Sequence, residues 1–91
     1  MVEKKLYQVV WDKKAKKNLE KLGKQIAKEI FEATNHDLSL DPHGKGKRMK
    51  GLLKGLWSYR YTRNYRVIYE IFEDKVLVTV WDADNRSRVY D

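Results

Sequence analysis

The sequence predicts an α+β fold in which an N-terminal strand and an αα-hairpin lie on a mainly antiparallel sheet. Three observations lead there. Residues 6–11, Leu-Tyr-Gln-Val-Val-Trp, are rich in β-formers. Two stretches with apolar residues at helical spacing follow, joined at Gly23. Residues 56–81 then hold three runs of strand-forming residues separated by short polar turns. The elements come grouped by type and do not alternate βα, which favours an antiparallel sheet with helices on one face.

Each element has a local reason. Asp12 is placed to cap a helix starting near Lys13, and Ala15, Leu19 and Leu22 recur on one face of it. Gly23 ends that helix. A second helix carries Ile26, Ile30 and Ala33 on one side, with Lys24, Lys28 and Glu32 elsewhere. Pro42, Gly44 and Gly46 make residues 41–46 a loop. Residues 56–62 alternate, with Trp57, Tyr59 and Tyr61 on one face and Ser58 and Arg60 on the other. Residues 65–72 and 76–81 are further strands, joined by a turn at Glu73-Asp74-Lys75, and the tail from Arg86 to Tyr90 can add a short last one.

A chain of 91 residues suits one domain, 1–91, with one modest core. It has no cysteine, which excludes disulfide frameworks and thiolate metal sites. It has no apolar run of membrane-spanning length, and its first residues lack the apolar stretch of a signal peptide. The expectation is a cytoplasmic protein with no membrane partner.

Charge is the most directive property. The net charge is +7, and it is unevenly spread. Residues 1–44 carry nine lysines against seven acids, and residues 67–91 three bases against six acids. Between them, residues 45–66 hold Lys45, Lys47, Arg48, Lys50, Lys54, Arg60, Arg63 and Arg66 with no acid. A positive field concentrated in this way implies a polyanionic partner, and a nucleic acid is the obvious one; the alternative is a solvated basic loop without a ligand.

The link between the two strands at 56–62 and 65–72 sharpens this. If Thr62-Arg63-Asn64 is a three-residue hairpin loop, Tyr61 faces Tyr65 and Arg60 faces Arg66. Asn64 then takes the position that often needs left-handed geometry, which Asn tolerates. Like charges directly opposite repel, and a phosphate between the guanidinium groups would relieve them. The alternative is that each arginine pairs with a nearby acid, such as Glu70 on the face of Arg66. In the tail, Arg86, Arg88 and Tyr90 share a face if the backbone is extended. Tyr90 is a packing residue, a stacking ring or a proton carrier; for the last it would need cations to lower a pKa that is ordinarily near 10.

Other chemistries are poorly supported. His36 and His43 lack metal-ligand spacing and read as surface residues, and no metal site is expected. Gly44-Lys45-Gly46 lacks the strand–helix context of a phosphate loop. No cofactor is implied.

Lys50-Gly51, Leu56-Trp57-Ser58-Tyr59-Arg60, Asn64-Tyr65-Arg66-Val67-Ile68-Tyr69-Glu70 and the tail Arg86 to Val89-Tyr90 together resemble the RelE/ParE toxin superfamily of type II toxin–antitoxin systems. The resemblance spans nearly the whole chain, and the ordered set of motifs is more specific than any one of them. Gly44 to Lys47 and Trp57-Ser58-x-Arg60 look most like the YoeB branch. It implies the RelE-like, microbial-RNase-like fold, a cognate antitoxin, and a ribosome-dependent mRNA endonuclease acting on mRNA in the A site beside ribosomal RNA. In that reaction the ribose 2′-hydroxyl attacks its own phosphate without a metal and leaves a cyclic phosphate.

By position, Arg66 matches the phosphate-binding arginine, Arg60 the arginine after the tryptophan, Arg86 the tail arginine and Tyr90 the closing tyrosine. These four form the implied catalytic set. Lys45, Lys47, Arg48, Lys50, Lys54, Arg63 and Arg88 form the implied RNA-binding set. The chain also departs from the pattern. Trp57 and Tyr59 stand where RelE-type enzymes have lysines, Lys47 stands near the YoeB-like glutamate, and Asn85 replaces the tail histidine. Tyr90, acidified by Arg60, Arg66 and Arg86, is then the implied base. The departures keep two alternatives open: a ParE-like inhibitor of DNA gyrase, or a decayed toxin that only binds its antitoxin.

Overall fold

The computed structural model of the protein describes residues 5–85. Strand β1 (Gln8–Trp11) leads into helices α1 (Lys13–Glu20) and α2 (Lys24–Leu40). Strands β2 (Lys47–Arg48), β3 (Trp57–Tyr61), β4 (Tyr65–Phe72) and β5 (Leu77–Asn85) follow. The sheet order is β1-β5-β4-β3-β2. β1 lies parallel to β5 and every other pair is antiparallel. This is the expected α+β fold, with both helices on one face of a mainly antiparallel sheet.

The helices start and stop for the anticipated reasons. The Asp12 carboxylate accepts the Lys14 backbone N–H at 3.1 Å, capping α1. Gly23 has φ 111°, a backbone shape costly for other residues, and it turns the chain directly into α2. Ala15 and Leu19 from α1 and Ile30 and Leu38 from α2 are buried against Val67, Tyr69, Val78, Val80 and Ala83 of the sheet. Leu22 and Ile26 pack at the edge of this cluster. Thr34, between Ile30 and Leu38, is also fully buried, so the inner face of α2 is more polar than its apolar periodicity suggests.

Three local features differ from expectation. Lys47–Arg48 is a short strand, because the chain leaving the glycine loop pairs with Ser58 and Trp57. The last strand runs on to Asn85, well past residue 81. In doing so it bulges: Ile68 faces Asp82 and Tyr69 faces Val80, leaving Trp81 as an extra residue. The inward alternation Val78, Val80 therefore resumes at Ala83, not at residue 82. The hairpin between β3 and β4 has the expected three-residue loop, but Thr62 adopts the positive φ (55°) in place of Asn64. The Thr62 hydroxyl accepts the Asn64 backbone N–H at 3.3 Å, a local bond that closes the turn from the threonine side.

Candidate functional site

The strand alternation sorts β3 and β4 into two chemically different faces. Tyr59 and Tyr61 point at the helices, donating to Asp37 at 2.6 Å and Glu29 at 3.1 Å on α2. Ser58, Arg60 and Arg66 therefore lie on the other face. The register sets Arg60 directly opposite Arg66. Across the face from the helices, the glycine loop and β2 form a wall around a groove of about 490 Å³. Lys45, Lys47, Arg48, Lys50, Arg60 and Arg66 line it with Gly44, Gly46, Met49 and Ser58, and no acid lines it among the described residues.

The loop leading into the wall is fixed in place by bonds, several to residues far away in sequence. The buried Tyr69 hydroxyl donates to the Pro42 carbonyl at 2.5 Å. The Asp41 carboxylate accepts the Gly44 N–H at 3.0 Å. His43 is bonded to Glu73, which also accepts the Tyr7 hydroxyl at 3.0 Å. Gly46 passes so close to β4 that a Cβ there would stand 2.0 Å from the Tyr69 hydroxyl and 2.9 Å from the Ser58 carbonyl. Only glycine permits that approach. Arg48 lies over the Trp57 ring, 5.5 Å from its centroid.

The two facing arginines differ. Arg66 is mostly buried and its Nη2 donates to Asp84 on β5 at 3.3 Å; Glu70, the partner considered from sequence, instead accepts the Trp81 indole N–H at 3.1 Å. The bulge at Trp81 explains the exchange, since it brings that indole to Glu70 and shifts Asp84 opposite Arg66. Arg60 is exposed, and among the described residues no hydrogen bond or ion pair holds it.

Among the described residues no tyrosine lines this groove, and three on the helix-facing side are held protonated. Burial, then the bond to Asp37, pushes the Tyr59 hydroxyl far above its ordinary pKa. Burial and the nearby Asp41 charge do the same to Tyr69. Tyr61 is raised by burial and by its bond to Glu29.

Residues 9–90 match the family described as ParE toxin of type II toxin–antitoxin system, parDE. The chain belongs to that toxin family. It is 31% identical to toxin RelG of Mycobacterium tuberculosis over 84 residues, covering 92% of this chain and 95% of the relative. Among solved structures it is similar to the M. tuberculosis RelBE2 toxin–antitoxin complex, with TM-score 0.86, 29% identity, and 93% and 97% of the two chains covered. It also resembles the YoeB/ParE toxin of Agrobacterium tumefaciens, with TM-score 0.70, 22% identity, and 86% and 96% covered. The likeness to that last structure is one of fold. The RelE/ParE superfamily and the RelE-like fold are thereby established for this toxin.

The groove gathers two of the four implied catalytic residues of the toxin, Arg60 and Arg66, with four of the implied RNA-binding residues, Lys45, Lys47, Arg48 and Lys50. Two members of the latter set stand apart. Lys54 lines a second hollow of about 740 Å³ beside His43, Trp57 and Ile71, and Arg63 is exposed at the hairpin tip. Linear charge clustering could not separate them, because the turn at Gly51–Leu53 carries Lys54 away from the wall. Arg86, Arg88 and Tyr90 lie outside the described residues. Asp84 was missed as a site residue; its signal would have been a strand long enough to reach the Arg66 register.

Proposed function

We propose that this toxin is a ribosome-dependent mRNA endonuclease, neutralised by a cognate antitoxin. The observation that carries the reading is the groove that, among the described residues, six cations and no acid line, with Arg60 and Arg66 opposite one another. Facing guanidinium groups are unfavourable for the fold alone and suited to a phosphate diester.

In this mechanism the substrate's own 2′-hydroxyl attacks the adjacent phosphorus and forms the new P–O bond. The P–O bond to the 5′-oxygen of the next nucleotide breaks, leaving a 2′,3′-cyclic phosphate and a 5′-hydroxyl. Arg66 and Arg60 stabilise the charge that builds on the phosphorane oxygens. Lys45, Lys47, Arg48 and Lys50 hold flanking phosphates. Tyr90 accepts the 2′-hydroxyl proton, a solvent water donates a proton to the departing 5′-oxygen, and the ribosome supplies the substrate alignment that a weak base requires. The reaction needs no metal in this scheme. The M. tuberculosis RelBE2 structure is a toxin–antitoxin complex, and an acidic or amphipathic antitoxin segment over the cationic groove is the matching reading here.

The test is cleavage of a defined mRNA with and without programmed ribosomes. Cuts that need ribosomes and vanish in Arg66→Ala are expected. A second reading is inhibition of DNA gyrase, favoured by the match to the ParE toxin family and by the lack of a carboxylate or imidazole in the groove among the described residues. Blocked supercoiling with intact mRNA would select it. Silence in both assays would leave a toxin that only binds its antitoxin.

A further inference from the structure

The pairing of β3, β4 and β5 sets three charges in one row: Arg60, Arg66 and Asp84. Asp84 holds Arg66 through a single contact, Nη2 to Oδ2 at 3.3 Å. Their side chains are 17% and 35% exposed, so the pair is shielded enough to matter and open enough to exchange. Arg66 Nε and Asp84 Oδ1 are both enclosed and have no hydrogen-bond partner among the described residues. Arg66 lines the basic groove, whereas Asp84 does not. Asp84 opens instead onto a shallow hollow beside Asn18 and Lys21.

Asp84 therefore grips Arg66 from the side away from the groove. It reaches this place only because β5 bulges at Trp81; without the extra residue Asp84 would be out of phase with Arg66. A carboxylate beside an anion site opposes anion binding through space, and a partly buried ion pair contributes little to stability compared with apolar replacements. What the contact does supply is a fixed guanidinium in a row where Arg60 repels it.

We infer that Asp84 is a positioning residue for Arg66, orienting its guanidinium toward a bound phosphate while weakening anion binding overall. This rests on the proposed nuclease reading. The geometry assigns Asp84 no contact with substrate.

The experiment compares wild type with Asp84→Asn and Asp84→Ala. Affinity for a fluorescein-labelled single-stranded RNA oligonucleotide, single-turnover cleavage on programmed ribosomes, and the ¹⁵N resonance of Arg66 Nε are each measured. Asp84→Asn should bind the oligonucleotide about threefold more tightly, since one opposing charge is gone. Its cleavage rate at saturation should nevertheless fall at least about tenfold, from lost alignment. The Arg66 Nε signal should move toward those of exposed arginines. A residue that serves stability alone would lower the melting temperature and leave the rate per folded molecule and the Nε signal unchanged; that result overturns the inference. So would tighter binding with an unchanged or faster rate, which is simple charge removal. If wild type cuts nothing, the nuclease reading fails, and the Nε signal and oligonucleotide affinity still decide whether Asp84 positions Arg66.

Discussion

At the scale of single residues, the groove joins groups with separable jobs. Arg66 is anchored to Asp84, and Arg60 is held by no described neighbour. Arg66→Ala should lower saturated cleavage by an amount on the order of 3 kcal/mol, as for loss of one donor to a developing oxyanion. Cleavage by Arg66→Ala at the wild-type rate would sink the site assignment. Arg60→Ala should act more on binding, lowering the salt slope of oligonucleotide affinity by about 0.7 if it neutralises one phosphate. A slope that does not change would remove Arg60 from the phosphate contacts. The glycine loop admits an equally local test. Gly46→Ala places a methyl group against the Tyr69 hydroxyl and the Ser58 carbonyl, both in the sheet. It should destabilise the fold by about 2 kcal/mol in urea denaturation, the usual scale of overpacking.

At the scale of elements, the wall of the groove depends on bonds formed far from it in sequence. Tyr69→Phe removes the buried donor to the Pro42 carbonyl and leaves that acceptor unmet, for a cost of about 1–3 kcal/mol. The contact of Glu73 with His43 and Tyr7 has a pH signature. Bonds from His43 and then Tyr7 hold the Glu73 carboxyl below its ordinary pKa. A depressed carboxyl contributes stability above the unfolded-state value and loses it as pH falls through the lower folded value. Wild type should therefore lose melting temperature faster than Glu73→Gln as pH drops from the ordinary glutamate range downward; parallel curves would show that the contact carries no stability. These bonds also explain what could be read from the sequence. Asp12, Gly23 and the alternation of Trp57 to Tyr61 are signals within one element, and they predicted α1, the αα-hairpin and the facing pair Arg60–Arg66. The strand at Lys47–Arg48 could not be read, because two residues become a strand only when β3 is beside them. Nor could the bulge at Trp81, since a shift of register is a property of two strands. The exchange of Glu70 for Asp84 followed from that one omission.

At the scale of the whole molecule, folding turns a linear charge block into a groove. The buried cluster runs from Trp11 to Ala83 among the described residues. Each buried member lies before Arg86, so a chain ending at Arg86 retains all of them. Such a truncation removes Tyr90, the implied base, together with Arg88. It should keep its far-UV circular dichroism and a cooperative melt within a few degrees of wild type, because no buried apolar surface of the described core is lost. Oligonucleotide binding should persist, since the six groove cations all precede the cut. Ribosome-dependent cleavage should disappear. In the proposed mechanism, this pattern would separate phosphate binding by the groove cations from proton transfer by Tyr90. Full cleavage by the truncated chain would take Tyr90 out of the mechanism. Tyr59, Tyr61 and Tyr69, all shifted toward the protonated form, would not replace it.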